Sequence, residues 1–172
     1  MKMSWKYDRF GTLARAAALF SVLACGHALA DNEEPVYTMT VIVDAAHGSK
    51  VAAGRYERAI EMITAKKRAS DSYSEQTNLC VAYTKTGDLN KATHACESAV
   101  ELMRDDGSQH DARTGVRARM QRVYLALALS NLGVLQVARG TPDIARENFR
   151  EALALEAGLS APKINLERLT RS

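Results

Sequence analysis

Thr77-Asn-Leu-Cys-Val-Ala-Tyr-Thr-Lys-Thr-Gly-Asp-Leu-Asn-Lys-Ala-Thr-His-Ala-Cys-Glu-Ser-Ala-Val-Glu-Leu102 reads as two helices around one turn. Gln76, Leu79, Cys80 and Tyr83 recur at helical spacing before Gly87, and Ala92, Cys96, Ala99 and Leu102 recur after it. Gly87 can adopt the left-handed backbone that ends a helix, and Asp88 can start the next one. A helical hairpin is the expected unit.

Its frame, Gly five residues before Ala, occurs three times: Gly54-Arg-Tyr-Glu-Arg-Ala59, Gly87-Asp-Leu-Asn-Lys-Ala92 and Gly140-Thr-Pro-Asp-Ile-Ala145. Around the third, Leu129, Leu132, Gly133 and Gln136 precede the turn, and Ala145, Phe149, Ala152 and Leu155 follow it. These residues resemble the tetratricopeptide repeat: a large residue, Leu and a small residue, an aromatic, Gly at the turn, then Ala, an aromatic and Ala. The small residues let paired helices approach closely. The resemblance implies an all-α, short helical-hairpin solenoid with a partial repeat at about 45–69, a repeat at 73–106, one with a long first helix at 111–159, and a capping helix at 162–171.

The departures from the repeat are specific. His47-Gly48-Ser49 interrupts the place of a long first helix, and upstream lies Val36-Tyr-Thr-Met-Thr-Val-Ile-Val43, β-branched and suited to an extended chain, within an N-terminal segment at 31–44. Between the second and third turns, Asp105-Asp106-Gly107-Ser108-Gln109 predicts a polar loop. A helix from about Asp111 to Arg139 should follow, about 43 Å long. After Gly158-Leu-Ser-Ala-Pro162 the chain should break, with Lys163 to Arg171 as an amphipathic cap.

Asn78 and Asn131 each stand directly before the repeat's Leu. In the resembling repeats, Asn at that place lines the concave face and can hold the backbone of an extended peptide, donating and accepting at once. The resemblance places Thr77, Val81, Thr84 and Lys85 beside Asn78, and Ser130, Val134 and Val137 beside Asn131, as a groove floor. Asn is also simply common at this place. The basic residues that clamp a terminal carboxylate are incomplete, because Lys85 matches alone and Leu127 stands near where a second cation is wanted. The slots of Cys80 and Cys96 face one another in the resembling hairpin, so the resemblance implies a disulfide in an oxidising compartment. The alternative is two reduced thiols acting as small apolar side chains.

Arg113, Arg117, Arg119 and Arg122 crowd the start of the long helix, preceded by Asp105, Asp106 and Asp111. They read either as a solvated face or as a docking patch for an acidic partner. Val116, Met120 and Tyr124 beside them continue an apolar stripe that could form a homodimer seam.

Chemistry of other kinds is poorly represented. His94 lies two residues from Cys96, on a different side of a helix, and His47 and His110 have no thiol or carboxylate at ligand spacing, so no metal site is expected. Ser160 to Lys163 spells S-x-x-K and Lys85-Thr86-Gly87 spells K-T-G, but in reversed order and without room for the scaffold those motifs need. No phosphate loop or nucleophile elbow occurs, so neither a cofactor nor an enzyme is expected.

The formal charge of +3 suggests polyanion binding until its source is located. Lys2, Lys6, Arg9 and Arg15 lie ahead of or beside the apolar run Ala16 to Ala24, and Ala28-Leu29-Ala30 supplies a signal-peptidase site, so residues 1–30 read as a secretory signal. Removing them leaves nineteen basic and nineteen acidic residues, and takes the only Trp and two of three Phe. A neutral chain poor in aromatics is a weak candidate for nucleic acid, and no second apolar run is long enough to span a bilayer. The style of the signal points to a Gram-negative periplasm. Val22-Leu23-Ala24-Cys25 also resembles a lipobox, which leaves an outer-membrane lipoprotein anchored at Cys25 as the alternative.

The expected function is an exported, non-enzymatic module or scaffold for a protein or peptide partner, or else an accessory subunit of an envelope assembly acting through the Arg-rich helix. Intact mass of the protein expressed in a Gram-negative host should give a chain beginning at Asp31. A lipid-modified chain beginning at Cys25 would establish the anchored form instead.

Overall fold

The computed structural model describes residues 36–65, 72–104 and 115–171, which form seven helices and no strand. They are α1 (Gly48–Ala52), α2 (Tyr56–Thr64), α3 (Tyr73–Thr86), α4 (Leu89–Arg104), α5 (Val116–Ala138), α6 (Pro142–Leu155) and α7 (Ser160–Arg171). Over these residues the chain is all-α, as the periodicity implies.

The local signals act where the sequence puts them. Gly54, Gly87 and Gly140 have φ of 72°, 81° and 75°, the left-handed region that reverses the chain between helices. The Ser72 hydroxyl accepts the Glu75 N–H at 3.4 Å and caps α3. Asp88 accepts the Lys91 N–H at 3.2 Å and so caps α4, while Pro142 occupies the first turn of α6, where a missing N–H loses nothing.

Two boundaries differ from the sequence reading. α7 begins at Ser160 rather than near Lys163, because Pro162 falls within its first turn and starts a helix there instead of breaking one. α5 begins at Val116 rather than near Asp111, because Gly115 before it is extended, at φ −96° and ψ 165°. The interruption expected at His47-Gly48-Ser49 is present, and it holds α1 to five residues entered through His47 at φ 65°. The expected loop at Asp105–Gln109 and the signal segment with Cys25 lie outside the described residues.

Each helix from α3 onward packs on the next, and α5 also touches α3 and α7. Small side chains carry the close contacts: Ala92, Ala95 and Ala99 of α4, Ala126 and Ala128 of α5, and Ala145 and Ala152 of α6 are all buried. Phe149, Ile63, Leu129 and Leu135 are the largest fully buried apolar side chains, and all four belong to helices. Gly133 sets the distance between α5 and α6, since a Cβ there would lie 2.5 Å from the Phe149 ring. Cys80 and Cys96 form a disulfide between α3 and α4, with Cα atoms 4.7 Å apart.

Gly133→Ala should lower the free energy of unfolding in urea by about 1–3 kcal/mol, because the rigid Phe149 ring has to move. Replacing both Cys80 and Cys96 by Ser should lower it by about 3 kcal/mol, the value expected for a closed loop of this length.

Candidate functional site

The segment Val36–Val43 has no helix and no neighbouring strand, so its peptide groups need other partners. Three asparagines provide them. Asn78 Oδ1 accepts the Ile42 N–H at 2.9 Å while its Nδ2 donates to the Ile42 carbonyl at 3.0 Å. Asn131 does the same for Thr40 at 2.7 and 2.8 Å, and Asn165 for Thr38 at 2.8 Å in both directions.

A primary carboxamide carries the same donor and acceptor as a peptide group, so each Asn stands in for one residue of an antiparallel neighbour. Residues two apart along an extended chain turn their N–H and C=O to the same side, which is why the paired residues are 38, 40 and 42. The segment therefore lies as a strap across α7, α5 and α3, in that order from its N-terminal end. Arg168 of α7 donates to the Val36 carbonyl at the start of the row.

All three asparagines are wholly buried, at 0–1% exposure, and each bonds the strap through both its carboxamide oxygen and its nitrogen. Six neutral hydrogen bonds contribute on the order of 1 kcal/mol each, while an orphaned buried partner costs about 1–3 kcal/mol. The strap adds apolar packing on its other residues. Tyr37 and Met39 lie against the cluster of Val134, Phe149 and Leu169, and Met39 and Val41 against that of Val51, Ala59, Val81 and Ala82.

The C-terminal end of the strap turns sharply into α1. The Ala45 N–H donates to the Ile42 carbonyl at 3.2 Å and the Gly48 N–H to the Ala45 carbonyl at 2.9 Å. Gly48 is pressed on the strap, because a Cβ there would lie 2.0 Å from the Ile42 oxygen and 3.0 Å from Asn78 Nδ2.

Among the residues expected to line a groove, Asn78 and Asn131 hold this segment, and Val81 and Val134 belong to clusters that pack on it. Thr77 and Ser130 are buried beside the asparagines, and Lys85 is exposed near the end of α3. Thr84 donates back to the Cys80 carbonyl at 2.7 Å. Sequence reasoning passed over Asn165, although Asn165-Leu166 repeats the Asn-Leu of Asn78-Leu79 and Asn131-Leu132 and is buried in the same way. The β-branched residues of 36–43 signal an extended chain but not where it lies.

The second candidate surface lies on α5. Val116 and Met120 are exposed, and with Arg119, Val123 and Tyr124 they line an open cleft. Tyr124 is the least available of these, because its ring lies 5.2 Å from that of Tyr73 and its carbonyl accepts the Tyr73 hydroxyl at 2.8 Å. Burial pushes the Tyr73 hydroxyl well above the ordinary phenol range, so it stays a donor at any physiological pH. Arg117, Arg119 and Arg122 are exposed along the same helix, and Arg113 lies outside the described residues. No group of three or more His, Cys, Asp or Glu that could hold a metal occurs among the described residues, and no described helix is long and apolar enough to cross a membrane.

Asn131→Ala should leave the Thr40 N–H and C=O unpaired, lowering stability by about 1–3 kcal/mol and removing the hydrogen-exchange protection of the Thr40 amide. Unchanged protection would show that Asn131 does not hold the strap. No protein-family model, curated protein or solved structure matches this chain.

Proposed function

We propose that this protein is an exported, tetratricopeptide-like interaction module whose concave face grips extended polypeptide by its backbone. The row of Asn78, Asn131 and Asn165, each bonding both polar groups of alternate residues, is the observation that carries the reading. Carboxamides at one position of successive hairpins hold any non-proline residue in an extended chain, and apolar clusters between them add selectivity. Such a surface binds and orients protein segments, and the reading includes no catalytic step and no cofactor. A periplasmic location agrees with the signal-like first thirty residues and with the disulfide between Cys80 and Cys96.

A second reading is favoured by the cleft on α5. Val116, at 80% exposure, and Met120, at 48%, flank the exposed Arg119, a combination suited to an acidic partner with apolar anchors or to a second copy of the chain. In that case the protein is an accessory subunit of an envelope assembly and the strap is purely structural.

Capture experiments with the mature protein on a periplasmic extract separate the two. Partners retained by the wild type, lost with Asn131→Ala and kept with Met120→Glu belong to the asparagine row. The opposite pattern assigns the partner to α5 and removes the first reading.

A further inference from the structure

We propose that the strap Val36–Val43 is an exchangeable occupant, and that the ligand of the asparagine row is an extended segment of a partner polypeptide built like it. That segment carries large apolar side chains at three alternate positions, no proline at the positions between them, and lies with its N-terminal end on α7 and its C-terminal end on α3. The inference rests on the reading of the asparagine row as a backbone grip.

The chemistry of the floor is the first argument. A segment that never leaves is held well by apolar side chains, whereas three buried asparagines are favourable only while every polar atom is paired. When the strap lifts, water satisfies carboxamides at once, so the floor tolerates an open state that an apolar floor would not. The second argument is that the helices have their own core. Phe149, Ile63, Leu129 and Leu135 are fully buried helix residues, while Tyr37, Met39, Val41 and Ile42 of the strap are only half-buried and Thr38 is exposed.

The third argument is the tether. The strap continues into the helices through the turn at residues 42–48, where His47, which is not glycine, sits at φ 65° and Gly48 leaves no room for a side chain. A left-handed non-glycine residue carries some strain, less for His than for most residues. At the other end Val36 is 72% exposed. A segment arriving in trans can make every contact the strap makes without having to run into that tight turn.

The strap also defines what the site selects. The asparagines bond N–H and C=O of residues 38, 40 and 42, which excludes proline there, and the Ile42 side chain packs on the cluster of Tyr73, Ala99 and Leu129. Selection by side chain falls on positions 37, 39 and 41 and on position 42, which takes a β-branched residue. An aromatic fits the position of Tyr37 near Phe149 and Leu169, a long flexible side chain that of Met39, and a β-branched one that of Val41 near Val51 and Ala59.

The test uses the full mature chain with Thr40→Pro, which removes the N–H that Asn131 accepts and leaves the helices untouched. A second variant has a four-residue Gly/Ser insertion after Asp44, which slackens the tether. The probe is a fluorescent peptide of the sequence of residues 36–43 with a solubilising lysine tail, followed by anisotropy. The wild-type strap competes from an effective concentration on the order of millimolar, so Thr40→Pro should bind the peptide at least about tenfold more tightly than the wild type, and the slackened variant by a smaller, few-fold margin, because lengthening a loop weakens its closure only slowly. Adding Asn131→Ala should abolish that gain, and a peptide with its apolar residues shifted by one position should not bind.

The proposal is overturned if both variants keep wild-type helical circular dichroism and bind no peptide. It is overturned equally if both lose helical structure, since the strap is then an obligate part of the fold. If light scattering shows that the slackened variant dimerises and excludes the peptide, the occupant is a second copy rather than a partner. Should the Thr40 amide of the wild type itself lack exchange protection, the backbone grip fails, and that failure is separate from every peptide result.

Discussion

The pairing of Asn131 with Thr40 carries the constraint on which the rest of the site depends. A peptide group removed from water has to find a donor and an acceptor, and an extended segment lying on helices meets helix backbones whose own groups are already used. Only side chains can answer, and a carboxamide answers both needs with one planar group. Once Asn131 holds Thr40, the pleat fixes Thr38 and Ile42 as the next residues facing the same way, and Asn165 and Asn78 stand where those residues fall. A shift of one residue would break all six bonds and turn Tyr37, Met39 and Val41 away from their clusters.

The spacing of the helices has to serve that register. Successive strap residues facing one side lie about 6.6 Å apart, so α3, α5 and α7 must bring their carboxamides to a matching interval. Gly133 lets α6 sit close behind α5, alanines do the same for α4, and the Cys80–Cys96 disulfide joins α3 to its neighbour. The small residues thus act on the site from a distance, by fixing how closely the helices that carry the asparagines can stand.

Much of the helical organisation was legible because its signals are local. Gly87 followed by Asp88, and Gly140 followed by Pro142, announce turns within a few residues, and apolar spacing gives the helix faces on either side. Asn78 and Asn131 were legible through their shared place before Leu. Asn165 carried the same signature but sits in a segment beginning Gly158-Leu-Ser-Ala-Pro162, where Pro162 invites a break that the first turn of α7 absorbs. The destination of the strap was not legible. Its β-branched residues state that it is extended, but the contacts that hold it join positions 36, 91 and 127 residues apart, and no local pattern encodes such a distance.

The direction of the strap has a mechanical consequence. Its N-terminal end lies on α7 and its C-terminal end continues into α1, so tension applied upstream of Val36 and away from the helices loads the contact with Arg168 first. The Asn165–Thr38 pair follows, then Asn131–Thr40, and Asn78–Ile42 last. The bonds would break one pair at a time, as in a zipper opened from its end, rather than together in shear. A segment gripped in this way resists being dragged along its own axis but yields to a modest pull on one end, which makes the strap a mechanically polarised latch.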